Sequence, residues 1–167
     1  MKKILIVDDE KDIRFILEEI LNEHKYHVIT VGTIKEAEEF INTNSFDLAL
    51  LDVLLDEKSR DGLYLLNLIK NKNKDLPVIM MSGHANIQIA VNSVKDGAFE
   101  FLEKPFNQER LLNFIKRGIE YSELVNTKKD LHDNFFKSFD FIGESKEIIK
   151  IKESINKIST SDGRIFI

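Results

Sequence analysis

Short apolar runs alternate along the chain with segments of helical periodicity. Each run is a continuous apolar stretch rather than a strict alternation of apolar and polar residues, which is typical of parallel strands covered on both faces. The five runs are Ile4–Val7, Val28–Val31, Leu48–Leu51, Val78–Met81 and Phe99–Leu102. Regular alternation of strand and helix predicts right-handed βαβ units and an open α/β sheet.

The helical segments carry apolar residues three and four positions apart, which gives each segment an apolar face. They begin near residues 13, 34, 63, 87 and 111. Thr33-Ile34-Lys35-Glu36 has the pattern of a capping box, and Gly97 suits the end of the fourth helix. Five strands with helices between them favour a five-stranded parallel sheet of the flavodoxin-like order 2-1-3-4-5, with helices on both faces. In such sheets the functional groups lie at the carboxyl ends of the strands.

The pattern changes after residue 122. Residues 123–140 are mostly polar and predict a linker. The spacing of Leu111, Ile115 and Ile119 allows the fifth helix to continue into this linker, and an apolar stripe on such a helix favours self-association. The charge changes as well, because residues 1–125 carry 16 basic and 22 acidic side chains, whereas residues 126–167 carry 8 and 7. The acidic first part argues against direct contact with nucleic acid, which needs a basic face.

Composition narrows the class of protein further. The chain has 167 residues, of which 43% are hydrophobic and 32% charged, as in an ordinary globular protein. It contains no cysteine, which excludes disulfides and zinc–thiolate sites. No apolar run reaches the roughly 18 residues of a membrane span, and the opening MKKILIVDDE lacks the apolar stretch of a signal peptide. We therefore expect a cytoplasmic protein with no membrane contact.

Polar side chains follow four of the five predicted strands. Asp8 and Asp9 follow the first strand, Asp52 the third, Ser82 the fourth and Lys104 the fifth. Each alone is easily explained as a helix cap or turn residue, but all of them fall at carboxyl ends, which meet at one edge of the sheet. Gathered carboxylates repel one another unless a cation lies among them, and oxygen-only ligands favour Mg²⁺. A lysine and a serine beside that ion suit a phosphoryl group.

These residues lie in segments that resemble the receiver domain of two-component response regulators. The segments are ILIVDDE at 4–10, LALLDV at 48–53, DGL at 61–63, PVIMMSG at 77–83 and GAFEFLEKPF at 97–106. The resemblance covers roughly residues 1–122 and implies a CheY-like form of the sheet. It also implies a switch that takes a phosphoryl group from a sensor histidine kinase, so that the domain is a phosphoacceptor and not an enzyme.

The resemblance implies a role for each matching position. Asp52 would be the phosphoacceptor, and Lys104 would contact the phosphoryl group. Ser82 and Phe101 would occupy the two switch positions, which respond to phosphorylation. The peptide bond between Lys104 and Pro105 would be cis. The ligands of Mg²⁺ would be three carboxylates and one backbone carbonyl, those of Asp8, Asp9, Asp52 and Leu54.

A second resemblance concerns the rest of the chain. Residues 140–167 resemble the opening of the AAA+ domain of sigma-54-dependent activators. The chain has no Gly-Lys dipeptide and therefore no Walker A motif, so we assign it no ATPase activity. This organisation predicts a receiver domain at 1–122, a helical linker at 123–140 and a truncated AAA+ fragment without a P-loop at 141–167.

Two features narrow the resemblance to one group of regulators. The segment SGHANIQIAVNSVKDGAFEFLEKPF is similar to the receivers of NtrC-family activators, and the long loop Val53–Arg60 is similar to that of NtrX-type regulators. The implied function is control of transcription, related to nitrogen, with an NtrY- or NtrB-like histidine kinase as partner. Self-association is expected through the fourth helix, fifth strand and fifth helix, or through the linker.

Two other functions stay open at this point. A phosphatase-like hydrolase also uses an Asp nucleophile on an α/β sheet, but it needs a second Asp two residues later, where this chain has Leu54. A receiver fold that has lost its chemistry would serve for interaction alone, although the complete acidic set and Lys104 argue against such a loss.

Overall fold

The structure is a computed structural model and describes residues 1–55, 61–83 and 87–138, together with 145, 149 and 150. The chain divides into two compact units, Met1–Asn126 and Thr127–Ile167. Apart from the three isolated positions, the predicted AAA+ segment at 141–167 lies outside the described residues, as does most of the loop Val53–Arg60. The domain boundaries at 122 and 140 therefore stay predictions.

Five parallel strands form one sheet within the described ranges. They are β1 (Lys3–Val7), β2 (His27–Val31), β3 (Leu48–Asp52), β4 (Val78–Ser82) and β5 (Glu100–Glu103). Their order is β2-β1-β3-β4-β5, which confirms the order that the sequence predicts. The register sets Val7 opposite Val31 and Leu51, and Ser82 opposite Glu103, so that the carboxyl ends of the strands form one edge.

Four helices connect these strands and a fifth follows β5 in the same described ranges. They are α1 (Lys11–Glu23), α2 (Ile34–Thr43), α3 (Gly62–Lys72), α4 (Ile87–Lys95) and α5 (Gln108–Ser138). The predicted cap of α2 is present, because the N–H of Glu36 donates to Thr33 Oγ1 at 3.2 Å. Asp61 caps α3 in the same way through the N–H of Tyr64 at 3.0 Å. Gly97 follows α4 with a φ of 98°, as a helix C-terminus often requires.

Each face of the sheet has its own apolar core. On one face, Leu5 and Leu51 pack with side chains of α2 and α3. On the other face, Ile4 and Leu50 pack with side chains of α1 and α5. Neighbouring residues of a strand point to opposite faces, so continuous apolar runs are needed to fill both cores. All five residues of β3 are buried, which fixes the backbone that leads into its carboxyl end.

The long helix α5 has two parts with different surroundings. Leu111, Ile115 and Ile119 are buried in the core on the α1 side of the sheet, so this part of the stripe is not available for the self-association that the sequence suggested. The helix then continues to Ser138, and Leu124 and Leu131 are 72% and 66% exposed. Among the described residues, no helix is both long and apolar enough to cross a lipid bilayer.

The chain returns to the end of β3 at Gly62, the first residue of α3. The N–H of Gly62 donates to the carbonyl oxygen of Val53 at 3.0 Å. A Cβ on Gly62 would stand 1.9 Å from the carbonyl oxygen of Asp52, far inside van der Waals contact. Position 62 therefore requires glycine, because the backbone of α3 lies directly against the backbone of β3.

We expect Gly62→Ala to lower the free energy of unfolding by about 3 kcal/mol, since the clash is with backbone that cannot move aside without disturbing β3. Gly83→Ala is the matched control, because a Cβ at Gly83 meets no atom within 4 Å. Urea denaturation followed by circular dichroism measures both. A loss at Gly62 below about 1 kcal/mol would contradict the close approach of the two backbones.

Candidate functional site

Three charged side chains meet at the carboxyl edge of the sheet. Asp8 follows β1, Asp52 ends β3 and Lys104 follows β5. The Nζ atom of Lys104 lies 2.7 Å from Asp8 Oδ2 and 2.7 Å from Asp52 Oδ2. The structure thus brings together three of the residues that the sequence places at this edge, and one ammonium group is shared by two carboxylates.

These three groups are withdrawn from water. Asp8 has no exposed surface, Asp52 is 5% exposed and the Lys104 side chain is 11% exposed. Taking charges out of water is costly, and their mutual attraction offsets this cost only where further hydrogen bonds satisfy the remaining lone pairs. With two carboxylates against one ammonium, the ionised group keeps a net negative charge.

Each carboxylate is held at its second oxygen by the backbone two residues further on. Asp8 Oδ1 accepts a hydrogen bond from the N–H of Glu10 at 3.0 Å, and Asp52 Oδ1 accepts one from the N–H of Leu54 at 3.3 Å. Both are local turns of the kind that aspartates form readily. Each carboxylate therefore has one oxygen directed at Lys104 and one fixed by its own loop, which sets the orientation of both groups.

Ser82 and Lys104 are joined through the main chain. The N–H of Lys104 donates to the carbonyl oxygen of Ser82 at 2.8 Å, and the N–H of Val53 donates to that of Met81 at 2.8 Å. Ser82 is buried, and the peptide bond between Lys104 and Pro105 is cis, as the resemblance implies. Hydrogen bonds beyond the strands thus connect the ends of β3, β4 and β5.

The two predicted switch positions share one face of the sheet. Phe101 lies opposite Met80 in the register of β5 and β4, and Ser82 is two residues beyond Met80. Residues two apart on a strand point to the same face. Phe101 is half-buried against the core of the face that α2 and α3 cover, so Ser82 and Phe101 lie on that face, on neighbouring strands.

A group of three carboxylates has a spacing that suits a metal ion. Oxygen atoms of Asp8, Glu10 and Asp52 all lie within 4.8 Å of one another. Glu10 is exposed, and its Oε1 lies 3.7 Å from Lys104 Nζ. An octahedral Mg²⁺ has ligands at about 2.1 Å, which separates its ligand oxygens by about 3 to 4 Å. The limit of 4.8 Å lies close to this spacing, and carboxylate oxygens are ligands that Mg²⁺ prefers, so the group suits this ion.

One of the predicted carboxylate ligands, Asp9, is not part of this group. Asp9 is exposed, and its carboxylate is not among the three that come together in the described residues. Leu54 is 55% exposed, and its N–H donates to Asp52. Its carbonyl oxygen, which is the predicted ligand atom, stays a prediction. Glu10 is the acid that the sequence reasoning missed. It ends a run of three acids, but it also precedes α1 directly, which is an equally ordinary place for a glutamate.

Burial and charge act against each other on the pKa values of the group. Burial raises the pKa of the Asp52 carboxyl above its ordinary value, and the hydrogen bond and charge of Lys104 offset only part of this. For Lys104, burial lowers the pKa, but the hydrogen bonds and charges of Asp52 and Asp8 together outweigh it and leave the pKa raised. Lys104 is therefore protonated at neutral pH, and the ionised form of Asp52 carries an energetic cost.

Comparison with known proteins shows the family to which this chain belongs. Residues 4–116 match the family described as Response regulator receiver domain. The chain is 35% identical over 164 residues to the "Putative response regulator NtrX-like" of Rickettsia bellii, covering 98% of this chain and 34% of that protein. A crystal structure of NtrX from Brucella abortus gives a TM-score of 0.74 at 35% identity, covering 98% of this chain and 36% of that one. The solution structure of the beryllofluoride-activated NtrC4 receiver domain dimer gives 0.68 at 42% identity, covering 73% and 99%.

The chain belongs to the response regulator receiver domain family. Its relatives include NtrX-like and NtrC proteins, which confirms the resemblance stated from the sequence motifs. The chain spans about a third of the length of the curated relatives it matches.

The raised pKa of Asp52 predicts a pH-dependent effect of Asp52→Asn on stability. A carboxyl whose native pKa exceeds its unfolded value destabilises the native state at neutral pH, and this penalty fades as the pH falls through the native pKa towards the ordinary value of 3.8. Asparagine carries no such penalty and still offers Lys104 a hydrogen-bond acceptor, while Asp8 remains its ionic partner.

We therefore expect Asp52→Asn, in EDTA at neutral pH, to unfold at a higher urea concentration than the wild type. The difference should shrink as the pH approaches about 4. Urea titrations at a series of pH values measure it. A variant that is less stable than the wild type at neutral pH, or a difference that grows on acidification, would show that Lys104 more than compensates the burial of Asp52.

Proposed function

We propose that this chain is the phosphoacceptor domain of a two-component response regulator, and that Asp52 accepts a phosphoryl group from a sensor histidine kinase. The observation that carries the proposal is the shared ammonium of Lys104, 2.7 Å from an oxygen of Asp52 and 2.7 Å from one of Asp8. A cation at that distance is within reach of an oxygen on any phosphoryl group that Asp52 receives. Membership of the receiver family supports the same assignment.

The transfer requires a nucleophilic oxygen, a leaving group and a partner for the developing charge. An oxygen of the Asp52 carboxylate forms a bond to phosphorus while the bond from phosphorus to the kinase histidine nitrogen breaks, and the histidine keeps that electron pair. The resulting acyl phosphate places negative oxygens in a buried site. Lys104 is charged there, since its neighbours raise its pKa, and its ammonium passes from a carboxylate oxygen to a phosphoryl oxygen.

The proposal includes Mg²⁺ at the acidic group. Its donors would be carboxylates of Asp8, Glu10 and Asp52, whose spacing fits, together with Asp9 and the Leu54 carbonyl, which the resemblance implies. When bound, Mg²⁺ would neutralise the oxygens of the transferring phosphoryl group. The contribution of the chain itself is to hold Asp8 and Asp52 in fixed orientations at one edge of the sheet, through their local turns.

A phosphatase-like hydrolase is the second candidate function. Such an enzyme would use Asp52 as the nucleophile and a proton-transferring group two residues later. Leu54 stands at that position, 55% exposed, and a leucine cannot transfer a proton. A receiver fold without chemistry is the third candidate. The buried ionic group argues against this candidate. Two carboxylates that share one lysine cost more free energy to bury than apolar side chains that would connect the strand ends equally well.

Labelling with a small phosphodonor distinguishes the three candidates. We expect phosphoramidate with Mg²⁺ to add one phosphoryl group, detected by intact-mass spectrometry, and EDTA to prevent it. Asp52→Asn should reduce the yield by more than about 100-fold, since the nucleophile is gone. Asp47→Asn is the control, because Asp47 lies at the opposite edge of the sheet, where it accepts a hydrogen bond from the N–H of Lys3 at 2.8 Å.

A stable label on the wild type supports the switch. Continuous release of inorganic phosphate from the donor would instead support the hydrolase, and the absence of any label would support the silent domain. A label of normal yield on Asp52→Asn would overturn the assignment of the acceptor.

We also propose that Ser82 and Phe101 transmit phosphorylation, because both lie on one face of neighbouring strands. The phosphoryl group would draw the Ser82 hydroxyl inward, and the Phe101 ring would turn into the released space. The adjacent α4 supports association through the α4–β5–α5 face, since Ile87 and Val94 are 83% and 52% exposed. In the labelled protein of the experiment above, the amide signals of residues 87–119 should shift, whereas unchanged signals would contradict this route.

We further propose that this chain belongs to an NtrX-like, sigma-54-dependent activator of transcription, in the cytoplasm, with an NtrY- or NtrB-like kinase as partner. The names of the relatives support this reading, among them the "Nitrogen assimilation regulatory protein NtrX" of Azorhizobium caulinodans. The continuation of α5 to Ser138 supports a helical linker behind the receiver. No Walker A motif occurs in the sequence, so ATP hydrolysis is assigned to none of these residues.

A further inference from the structure

Arg14 lies in the first turn of α1, beside the acidic group but outside it. One of its guanidinium N–H groups donates to the backbone carbonyl oxygen of Asp8. The same guanidinium lies against Gly32, in the short connection between β2 and α2. A single side chain thus connects the two turns that follow β1 and β2 at the carboxyl edge of the sheet.

We propose that Arg14 is a positioning residue for the acidic group: it holds the Asp8 peptide against the β2–α2 turn and so sets the direction of the Asp8 carboxylate. Gly32 is the other half of this contact. The inference deepens the proposed function, on which its Mg²⁺ measurement rests, and it leaves the roles of Asp52 and Lys104 as they are.

The contacts of Asp8 show what Arg14 contributes. The N–H of Asp8 donates to the carbonyl oxygen of Val31 at 3.3 Å, Oδ1 accepts from the N–H of Glu10 at 3.0 Å, and Oδ2 lies 2.7 Å from Lys104 Nζ. Arg14 binds the one remaining polar atom, the carbonyl oxygen. This atom belongs to the peptide group through which the chain turns from β1 towards Glu10. Fixing that peptide fixes the angle at which the side chain of Asp8 enters the site.

The size of Gly32 is matched to the guanidinium of Arg14. A Cβ added at Gly32 would stand 3.1 Å from Arg14 Nη1 and 3.2 Å from both Cζ and Nη2. The nearly equal distances mean that the flat face of the guanidinium covers this position. The φ of Gly32 is not in the left-handed region, unlike that of Gly97, so the backbone alone does not require glycine here. A side chain at position 32 would instead press on the guanidinium of Arg14, which would have to shift by a few tenths of an ångström.

Glu36 holds Gly32 from the α2 side. Its Oε2 accepts a hydrogen bond from the N–H of Gly32 at 3.1 Å, and its own N–H donates to Thr33 at the start of α2. The bond from Gly32 lowers the pKa of the Glu36 carboxyl, and the charge of Arg14 adds to this effect. Gly32 is therefore anchored by α2, and it gives the guanidinium a fixed surface against which to hold Asp8.

A double-mutant cycle between positions 14 and 32 tests the inference. The variants are Arg14→Ala, Gly32→Ala and the combination of both. Arg117→Ala is the control, because it removes a guanidinium from an exposed pair with Glu100, 3.6 Å apart, away from the acidic group. Proton–nitrogen NMR spectra follow the amide signals of Asp8 and Glu10, first in the metal-free protein and then during titration with magnesium chloride.

We expect Arg14→Ala and Gly32→Ala each to shift these signals in the metal-free protein and to raise the dissociation constant for Mg²⁺ by about tenfold, the usual effect of losing a residue that orients a ligand. Because Gly32→Ala acts by displacing the guanidinium, the double variant should bind Mg²⁺ no more weakly than Arg14→Ala alone. Arg14→Lys keeps the charge but has no flat face, so it should recover only part of the affinity. Arg117→Ala should match the wild type.

The inference is overturned if Arg14→Ala leaves the signals unmoved and the dissociation constant within about twofold of the wild type. It is also overturned if Gly32→Ala weakens binding as much in the Arg14→Ala background as it does alone. Should Arg14→Ala fail to fold, Gly32→Ala and Arg14→Lys carry the same test. Absence of label on wild-type Asp52 would overturn the proposed function instead, and the metal-free spectra would still decide whether Arg14 and Gly32 act together.

Discussion

One ammonium group between two buried carboxylates determines how the functional edge of this domain is arranged. Lys104 follows β5 and Asp52 ends β3, and in the order β2-β1-β3-β4-β5 the strand β4 lies between them. Neighbouring strands are about 4.8 Å apart, so the side chain has to reach across β4, which requires the length of a lysine. β4 ends in Ser82, a small buried residue whose carbonyl oxygen accepts from the N–H of Lys104. The strand order is therefore a condition for the contact.

The charge that remains after this contact gives the site its chemistry. One ammonium faces two carboxylates that are almost fully buried, and each carboxylate is also fixed by a backbone N–H of its own loop. Burial raises the pKa of the Asp52 carboxyl, Lys104 offsets only part of this, and the charge of Asp8 adds to it, so the ionised form carries a cost. In the proposed function Asp8 and Asp52 would hold a metal cation that offsets this cost, and Lys104 would be available to a phosphoryl oxygen. A set of side chains with no net charge would stabilise the domain more, but it would lack this chemistry.

The sequence predicted the contacts at the strand ends but not those made by side chains at the starts of helices. The strands, their order and the meeting of Asp8, Asp52 and Lys104 followed from the apolar runs, because each residue lies within two positions of the end of a run and the carboxyl ends of parallel strands share an edge. Contacts made by long side chains from helix starts did not follow. In the sequence, Glu10 looks like an ordinary residue before a helix, and Arg14 looks like an ordinary polar residue of an amphipathic helix. Their partners depend on side-chain direction in three dimensions, which periodicity does not encode.

The most direct test of the central claim is the stability of Lys104→Met with and without Mg²⁺. Methionine removes the charge and leaves two buried carboxylates unpaired, which should lower the free energy of unfolding by about 3–5 kcal/mol in EDTA. Saturating Mg²⁺ should restore much of this loss, because the ion binds the native carboxylates. Lys70→Met is the control, since Lys70 donates to the carbonyl oxygens of Lys74 and Leu76 at 3.2 and 2.7 Å, and its loss should not depend on Mg²⁺. A loss for Lys104→Met below about 1 kcal/mol, or one that Mg²⁺ leaves unchanged, would contradict the account.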